Sequence, residues 1–387
     1  MLKTLAIANY RSLRSLVVPL GPLNLITGAN GSGKSNLYKA LRLLAETARG
    51  GVVNALAREG GLDSTLWAGP EKLSRRMQRG EVPIQGGPRQ EPVALKLGFA
   101  GSDFGYAIDL GLPPPVPRSA FERDPEIKAE AIWAGPYLRS SNLLIDRRGP
   151  MVRSRDAKHW RVLSEHLNQY ESIFTQVADP QGAPEVLAMR ESIRGWRFYD
   201  HFRSDRDAPA RLRQLGTRTT VLSHDGSDLA AAWQTIREVG DPAALDEAVD
   251  DAFPGASVSV TMGDGLFGLA FKQHGLLRPL SAAELSDGTL RFLLWIAALH
   301  TPRPPPLMVL NEPETSLHPD LLPALARLVI HASRRSQVWV VSHAPRLIAA
   351  LEEDPRCNLI SLEKDLSQTK VQGQRELDEP AWYWPSR

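Results

Sequence analysis

A glycine-rich segment near the start of the chain, GANGSGKS at residues 28–35, has the composition of a phosphate-binding loop. The fixed positions of the pattern G-x-x-x-x-G-K-[S/T] are filled by Gly28, Gly33, Lys34 and Ser35. In this pattern backbone N–H groups surround a phosphate, the lysine reaches the β and γ oxygens, and the serine hydroxyl ligates Mg²⁺. The other predicted contacts to the same nucleotide are Asn30, Gly31, Ser32 and Asn36. The segment predicts a site for a nucleoside triphosphate.

The residues on either side of the loop support this interpretation. LNLIT (23–27) is a short apolar run typical of a buried strand, and apolar residues recur at helical spacing over 36–48. A helix that begins directly after the loop presents the positive end of its dipole to the phosphates. An ordinary glycine turn is the alternative, and the order strand, loop, helix favours nucleotide binding over it.

The last third of the chain places polar residues directly after two apolar strands. LMVL (307–310) runs into NEPETSLHP (311–319), and QVWVV (337–341) runs into SHAP (342–345). Functional residues at the carboxyl ends of strands are typical of a parallel sheet that binds ligand at that edge. Glu312 is therefore a candidate to position water, and His343 a candidate to assist it. The alternatives are a helix-start acid for Glu312 and a structural histidine for His343.

A third segment, LSDGT (285–289), precedes a strongly apolar helix. Ser286 is placed to cap that helix, and the start of a helix is an anion site. A simple capped helix without a ligand is the alternative interpretation.

Composition sets broad limits on the protein. The chain has 387 residues, of which 42% are hydrophobic and 23% charged, with a formal net charge of +2. These values are ordinary for a globular protein, and the length predicts two lobes. A single cysteine, Cys357, and the lack of a long apolar run or a signal-peptide pattern favour a cytoplasmic α/β protein without a membrane span.

Patterning predicts further elements. Residues 1–20 should form one or two strands, 93–99 and 104–112 a hairpin, and 256–272 a strand pair. Helices are expected at 228–239, 245–253 and 320–333, whereas 49–70 has the composition of a glycine-rich break. PPPVP (113–117) predicts a break in regular secondary structure, and residues 118–220 give mixed helical and irregular signals. No heptad pattern is sustained, so long coiled-coil arms are not expected.

Two stretches are rich in basic residues. Residues 139–161 carry seven Arg or Lys against two acids, and residues 190–218 carry eight Arg against four acids. Interleaved aromatic residues are Trp160, Trp196, Phe198, Tyr199 and Phe202. The stretches are either a surface for nucleic acid or solvated faces with local ion pairs, and the sequence does not separate the two.

The ordered set GANGSGKS, LSDGT, LNEPETSLHP and VSHAP resembles the ATP-binding-cassette ATPases of the RecF/SMC type, and most of all the bacterial "AAA family" predicted ATPases. The resemblance covers about residues 1–50 and 220–350. It implies a P-loop NTPase fold of the ABC/RecF type, with a mixed sheet flanked by helices, an antiparallel β subdomain and a compact lid. The head would comprise residues 1–115 and 220–387, and the lid residues 116–219.

The resemblance also implies roles for individual residues. Ser286 and Gly288 would contact the γ-phosphate of ATP held by the other subunit of a head-to-tail homodimer. Glu312 would position and activate the attacking water, and His343 would hydrogen-bond the γ-phosphate. Asn311 stands where the pattern has an aspartate that holds the Mg²⁺ shell, which puts the strength of Mg²⁺ binding in question.

Three further assignments follow from the resemblance. Arg11, in Asn9-Tyr10-Arg11, would lie near the nucleotide, and the segment 315–319 would cross the dimer interface. Glu314 is a candidate to replace the charge missing at Asn311. A glutamine that contacts the metal is not assigned, since the structure around Gln85 and Gln90 cannot be read from the sequence.

The expected function is an ATPase in which ATP closes a dimer and hydrolysis reopens it, acting on DNA or an effector protein in DNA repair, chromosome maintenance or phage defence. The alternative is an ATP-gated switch or scaffold with little hydrolysis, which Asn311 motivates. A transporter subunit and a P-loop kinase or small GTPase fit the motifs less well. No nuclease domain is expected after His343.

Overall fold

The computed structural model describes residues 1–71, 74–79, 81–86, 90–114, 120–156, 159–375 and 378–387. The predicted PPPVP break lies partly outside these described residues. The chain divides into two compact units. The first unit comprises Met1–Leu20, Gly28–Gly195 and Ile360–Arg387, and the second comprises Gly21–Thr27 and Trp196–Leu359.

Within the described residues the strands are β1 (Leu2–Tyr10), β2 (Leu13–Pro19), β3 (Leu23–Gly28), β4 (Leu95–Gly101), β5 (Phe104–Gly111), β6 (Glu126–Ala134), β7 (Leu143–Arg148), β8 (Met151–Asp156), β9 (His159–Ser164), β10 (Arg197–Tyr199), β11 (Gln214–Leu215), β12 (Ser257–Gly263), β13 (Leu266–Lys272), β14 (Leu280–Ser281), β15 (Leu307–Asn311), β16 (Gln337–Val341), β17 (Cys357–Asp365) and β18 (Gln368–Val371). The α-helices there are α1 (Lys34–Thr47), α2 (Val52–Arg58), α3 (Gly61–Thr65), α4 (Arg75–Gln78), α5 (Ile173–Gln176), α6 (Pro184–Arg194), α7 (Leu229–Val239), α8 (Pro242–Ala252), α9 (Asp287–Leu299), α10 (Leu322–Ala332) and α11 (Pro345–Glu352).

The first unit contains an antiparallel sheet of eight strands in the order β2-β1-β4-β5-β6-β7-β8-β9. The predicted hairpin is confirmed as β4 and β5, in which Leu97 pairs with Ile108. Both side chains are fully buried, as the alternation of apolar residues requires of the face that packs on the core. Residues 1–20 were expected to form one or two strands, and they form two.

The prediction of helical and irregular structure for 118–220 is wrong for its first half, where β6 to β9 extend this sheet. Arginines conceal the strand pattern because one of them, Arg147, faces inward and is fully buried. Its guanidinium pairs with the buried carboxylate of Glu130 at 2.6 Å, so an arginine occupies a position that patterning reserves for apolar residues. The expected break at 49–70 also contains two helices, α2 and α3.

The second unit is built on four parallel strands in the order β10-β15-β16-β3. Their buried apolar runs match the predicted strands at 23–27, 307–310 and 337–341. Helix α9 is buried from Leu290 to Leu299 and forms much of the core with α7 and α10. The predicted strand pair at 256–272 is confirmed as β12 and β13 of a separate antiparallel sheet.

The boundary between the units differs from the predicted lid. Residues of the 116–219 segment up to Gly195 belong to the first unit, and those from Trp196 onward belong to the second. The reason is that β6 to β9 continue the sheet begun by β1 and β4, whereas β10 joins the parallel sheet. No helix among the described residues is long and apolar enough to cross a membrane.

Candidate functional site

The loop between β3 and α1 has the backbone conformation that its glycines predict. Gly28, Gly31 and Gly33 have φ values of 141°, 80° and 112°, a region that residues with a Cβ rarely adopt. Helix α1 begins after Gly33 without any side-chain hydrogen bond to its first N–H groups. Since the first N–H groups of a helix have no partner within it, they are available to an anion.

Lys34 is buried at the start of α1, and its Nζ donates to the carbonyl oxygens of Gly28 at 2.5 Å and Ala29 at 3.2 Å. An ammonium group has three donors, so one remains for a phosphate oxygen. Ser35 is exposed on the first turn, as are Asn30 and Gly31 in the loop. Ser32 is buried, and its hydroxyl has no hydrogen-bond partner among the described residues. These features fit a nucleotide with a hydrated Mg²⁺ ion.

Arg11 belongs to the turn between β1 and β2 and has a φ of 50°. Its Nη2 donates to Glu59 Oε2 at 2.7 Å, and the hydroxyl of Tyr10 donates to the same oxygen at 2.7 Å. Burial and Glu59 raise the pKa of Tyr10, so this phenol stays protonated. One end of the guanidinium is engaged with Glu59, and a contact of Arg11 with a nucleotide stays a prediction.

In the second unit, two predicted catalytic residues meet at the carboxyl edge of the parallel sheet. Asn311, the last residue of β15, pairs with Val341, the last residue of β16. The N–H of Glu312 donates to the Val341 carbonyl at 2.8 Å, which carries the pairing one residue further. His343 Nδ1 lies 3.7 Å from Glu312 Oε1, and both side chains are about half exposed. The sheet therefore brings the predicted acid and histidine together.

Glu312 reaches this position with a φ of 50°, in the left-handed region. For a residue with a Cβ this conformation costs on the order of 1 kcal/mol, and such strain is concentrated at functional sites. The neighbouring N–H of Ser342 donates to the Ile26 carbonyl at 3.1 Å, so β3 ends at the same edge. The chain then continues from Thr27 into the phosphate loop.

Glu314, two residues after Glu312, is buried and makes contacts that the sequence did not predict. Its Oε1 accepts hydrogen bonds from the Ser342 hydroxyl at 2.7 Å and from the His343 backbone N–H at 3.0 Å. This carboxylate oxygen therefore stabilises the turn that contains His343. Its Oε2 is buried without a hydrogen-bond partner among the described residues.

A second acid follows the neighbouring strand. Tyr199, the last residue of β10, pairs with Leu310 in parallel register, so Asp200 and Asn311 are the next residues along their two strands. Asp200 is half buried, and burial raises its pKa while His224 opposes the shift. A three-residue strand within an arginine-rich stretch gives too short a pattern to be found from the sequence.

The LSDGT segment has the predicted N-cap. The N–H of Thr289 donates to Ser286 Oγ at 3.2 Å, and α9 begins at the next residue, Asp287. Ser286 is exposed and Gly288 is half buried. A Cβ on Gly288 would lie 3.2 Å from the carbonyl oxygen of Ser316, so the segment packs against the loop that follows Glu312.

Two arginines that the sequence did not single out hold this region. The buried Arg211 donates to the Leu285 carbonyl at 2.7 Å and to Asp287 Oδ1 at 2.7 Å. Arg291, on α9, donates to the Thr315 carbonyl at 2.6 Å. Hydrogen bonds within one unit therefore stabilise the start of α9 and connect this helix to the loop after Glu312.

The basic stretches are largely engaged in internal contacts. Arg153 binds Asp146 at 2.6 Å and lies over the half-exposed ring of Trp160, and Arg161 binds Asp179 at 2.5 Å. The other interleaved aromatic residues are buried: Trp196, Phe198, Tyr199 and Phe202. These contacts are local ion pairs and core packing, and a nucleic-acid surface on the basic stretches stays a prediction.

The sequence profile of the family described as "AAA domain, putative AbiEii toxin, Type IV TA system" matches residues 23–349. A segment of 44 residues is 46% identical to the OLD nuclease of Thermus scotoductus (strain ATCC 700910 / SA-01). That segment makes up 11% of this chain and 8% of the nuclease, so the chain matches less than a tenth of that relative's length.

Solved structures of similar fold include heads of SMC proteins. A structure described as the SmcHead bound to the C-winged helix domain of ScpA is 12% identical, with a TM-score of 0.51, over 96% of this chain and 97% of that chain. The SMC head domain from Thermotoga maritima is 12% identical, with a TM-score of 0.48, over 96% of this chain and 97% of that chain. At such low identity the first likeness shows a shared fold alone.

Proposed function

Because this chain belongs to the family described as "AAA domain, putative AbiEii toxin, Type IV TA system" and is an AAA/ABC-type ATPase with an SMC-head-like fold, we propose that it hydrolyses ATP to ADP and phosphate with Mg²⁺. The observation that carries this proposal is the phosphate loop. Three glycines with positive φ, an uncapped helix start and a lysine bonded to the loop carbonyls are suited to a triphosphate.

The residues of the chain divide the work as follows. The loop N–H groups and Lys34 bind the β- and γ-phosphates, and the Ser35 hydroxyl and the Asn311 carbonyl are the candidates to hold Mg²⁺ and its waters. When bound, Mg²⁺ would offset negative charge on the phosphates. Glu312 orients the attacking water and accepts its proton, and His343 hydrogen-bonds the γ-phosphate.

We propose that two copies of the chain enclose ATP in a head-to-tail dimer. The exposed start of α9, with Ser286 and Gly288, would face the γ-phosphate held by the second copy. ATP would then stabilise the closed dimer, and hydrolysis would remove the contact that holds it. In a cytoplasmic setting, the output would reach DNA or an effector protein, in DNA repair, chromosome maintenance or phage defence.

Steady-state phosphate release with ATP and Mg²⁺ tests the proposal, with and without duplex DNA. We expect turnover in the wild type, loss of ATP binding in Lys34→Ala, and binding without turnover in Glu312→Gln. Glu353→Gln changes an exposed acid outside the site and should behave as the wild type. Turnover in Glu312→Gln equal to the wild type would refute the catalytic role, and stimulation by DNA would favour DNA over an effector protein.

The second candidate function is an ATP-gated switch with little hydrolysis. Asn311 favours it, because a neutral amide stands at the end of β15 where the related pattern has a carboxylate. Dimerisation on addition of ATP, without phosphate release under any condition, would support the switch over the ATPase.

A further inference from the structure

The hairpin formed by β17 and β18 contacts the phosphate loop through β18. Thr369, in β18, is fully buried, and its hydroxyl donates to the carbonyl oxygen of Ser32 at 2.8 Å. Its backbone N–H donates to the Ser12 carbonyl at 2.8 Å. A Cβ built on Gly33 would lie 2.1 Å from Thr369 Oγ1, so the threonine fills the space that this glycine leaves.

Three side chains continue this contact as a chain of hydrogen bonds. Asn36 Nδ2 donates to Ser12 Oγ at 2.8 Å, and Ser12 Oγ lies 2.7 Å from Thr369 Oγ1. A hydroxyl has one proton, and that of Thr369 is used on the Ser32 carbonyl. The Ser12 hydroxyl must therefore donate to Thr369. The relay runs in one direction, from Asn36 through Ser12 and Thr369 to the loop carbonyl.

The direction of the last bond has a consequence for the nucleotide. In a trans peptide unit the C=O and the N–H point to opposite sides. The Ser32 carbonyl points toward Thr369, so the N–H of Gly33 in the same peptide unit points away from the hairpin. A phosphate loop needs its N–H groups turned toward the phosphate.

We propose that Thr369 is a positioning residue which, with Ser12, fixes the peptide between Ser32 and Gly33 in the orientation that binds a phosphate. This inference rests on the proposed function, because it assumes that the loop holds a nucleoside triphosphate. Thr369 does not touch the reacting atoms; it acts through the loop backbone, and hydrogen bonds in such a chain strengthen one another.

Thr369→Val tests the proposal, since valine keeps the shape of threonine and removes the hydroxyl. Loss of the buried bonds should raise the dissociation constant of a fluorescent ATP analogue about tenfold, while turnover at saturating ATP stays within about twofold. Thr369→Ser keeps the hydroxyl and should restore binding to the wild-type value. Wild-type affinity in Thr369→Val, or equal weakening in Thr369→Ser, would overturn the proposal.

Amide hydrogen exchange of residues 29–36 without nucleotide gives a readout that does not depend on ATP. We expect faster exchange in Thr369→Val than in Thr369→Ser, and unchanged exchange would overturn the proposal. If the wild type binds no ATP, the proposed function fails, and the exchange result alone decides whether Thr369 orders the loop. If Thr369→Val does not fold, Ser12→Ala removes the middle of the relay and is held to the same outcomes.

Discussion

The carboxylate of Glu314 lies 2.7 Å from the hydroxyl of Ser342, and both residues are buried. The same oxygen accepts the backbone N–H of His343, so the acid fixes the turn that presents the histidine. Glu314→Ala should lower ATP turnover and destabilise the fold by about 1–3 kcal/mol, because the buried Ser342 hydroxyl and the part-buried N–H of His343 lose their acceptor. Phosphate release and urea unfolding measure the two effects.

Glu314→Gln is the matched control, since its amide oxygen can accept the same two hydrogen bonds. Turnover close to the wild type in the glutamine variant would show that the acceptor geometry matters. An equal loss in both variants would show instead that the charge matters, as expected if Glu314 compensates for the neutral Asn311.

The strained backbone at Glu312 predicts that two variants with the same loss of activity differ in stability. Glycine adopts a φ of 50° without steric cost, so Glu312→Gly should be more stable than Glu312→Ala by about 1 kcal/mol. Both variants lack the carboxylate and should lose turnover by about 10²–10⁴-fold. Glu353 has a φ of −64°, so Glu353→Ala should be more stable than Glu353→Gly. Denaturant unfolding gives the free energy of unfolding of all four variants. A Glu312→Gly variant less stable than Glu312→Ala would show that the backbone at this position is not strained.

Arg211 should control the start of α9 rather than nucleotide binding. Arg211→Lys keeps the charge but cannot reach both the Leu285 carbonyl and Asp287, because lysine lacks the planar fork of donors. The affinity of one subunit for ATP should stay unchanged, and the ATP-dependent dimer should weaken about tenfold. Light scattering in a Glu312→Gln background measures the dimer. Arg213→Lys changes an exposed arginine and should leave the ATP-dependent dimer intact. An equal weakening of the dimer in Arg211→Lys and Arg213→Lys would refute the role of Arg211.

Arg147 should be essential to the antiparallel sheet. Arg147→Met leaves the buried carboxylate of Glu130 without its cationic partner, which costs about 3–5 kcal/mol. The hydrogen bonds that Glu130 accepts from Tyr106, Ser172 and Ile173 do not replace the lost charge. Arg161→Met breaks the exposed pair with Asp179 and should cost far less, because solvent screens that pair. Thermal unfolding of the two variants compares them directly. Similar small losses would show that the buried pair is dispensable.

His300 predicts a pH dependence of stability. Burial, with help from His331 and Arg335 and against Asp241, lowers the pKa of His300 to about 4. The unfolded chain, with an ordinary histidine pKa, therefore binds the proton more readily between about pH 6.5 and 4. This stability is present above pH 6.5 and is lost as the pH falls toward 4, by up to about 3 kcal/mol.

Urea unfolding of the wild type and His300→Gln at several pH values tests this window. The free energy of unfolding of the variant should change less between pH 7 and 5 than that of the wild type. Parallel curves would show that His300 does not carry the effect. His166→Gln, which removes an exposed histidine, is the control.

The sequence predicted the elements whose signals are local. The phosphate loop, the cap at Ser286 and the apolar runs of β15 and β16 each lie within a few residues, and the family and the fold are confirmed. The roles of Glu312 and His343 in hydrolysis stay predictions. Strands β6 to β9 were missed because the inward-facing, buried Arg147 hides the alternation of apolar and polar residues. Thr369 gave no signal, because its partner is remote in the chain.

Thr369 and Ser32 are 337 positions apart in the chain. On the ribosome, GANGSGKS emerges long before the threonine that orders it has been added, and loop closure over such a distance is slow. A nascent chain that stops before β18 would carry all of its nucleotide motifs and still present a loosely held loop. Tight capture of ATP would thus be delayed until β18 has been synthesised and the hairpin can dock.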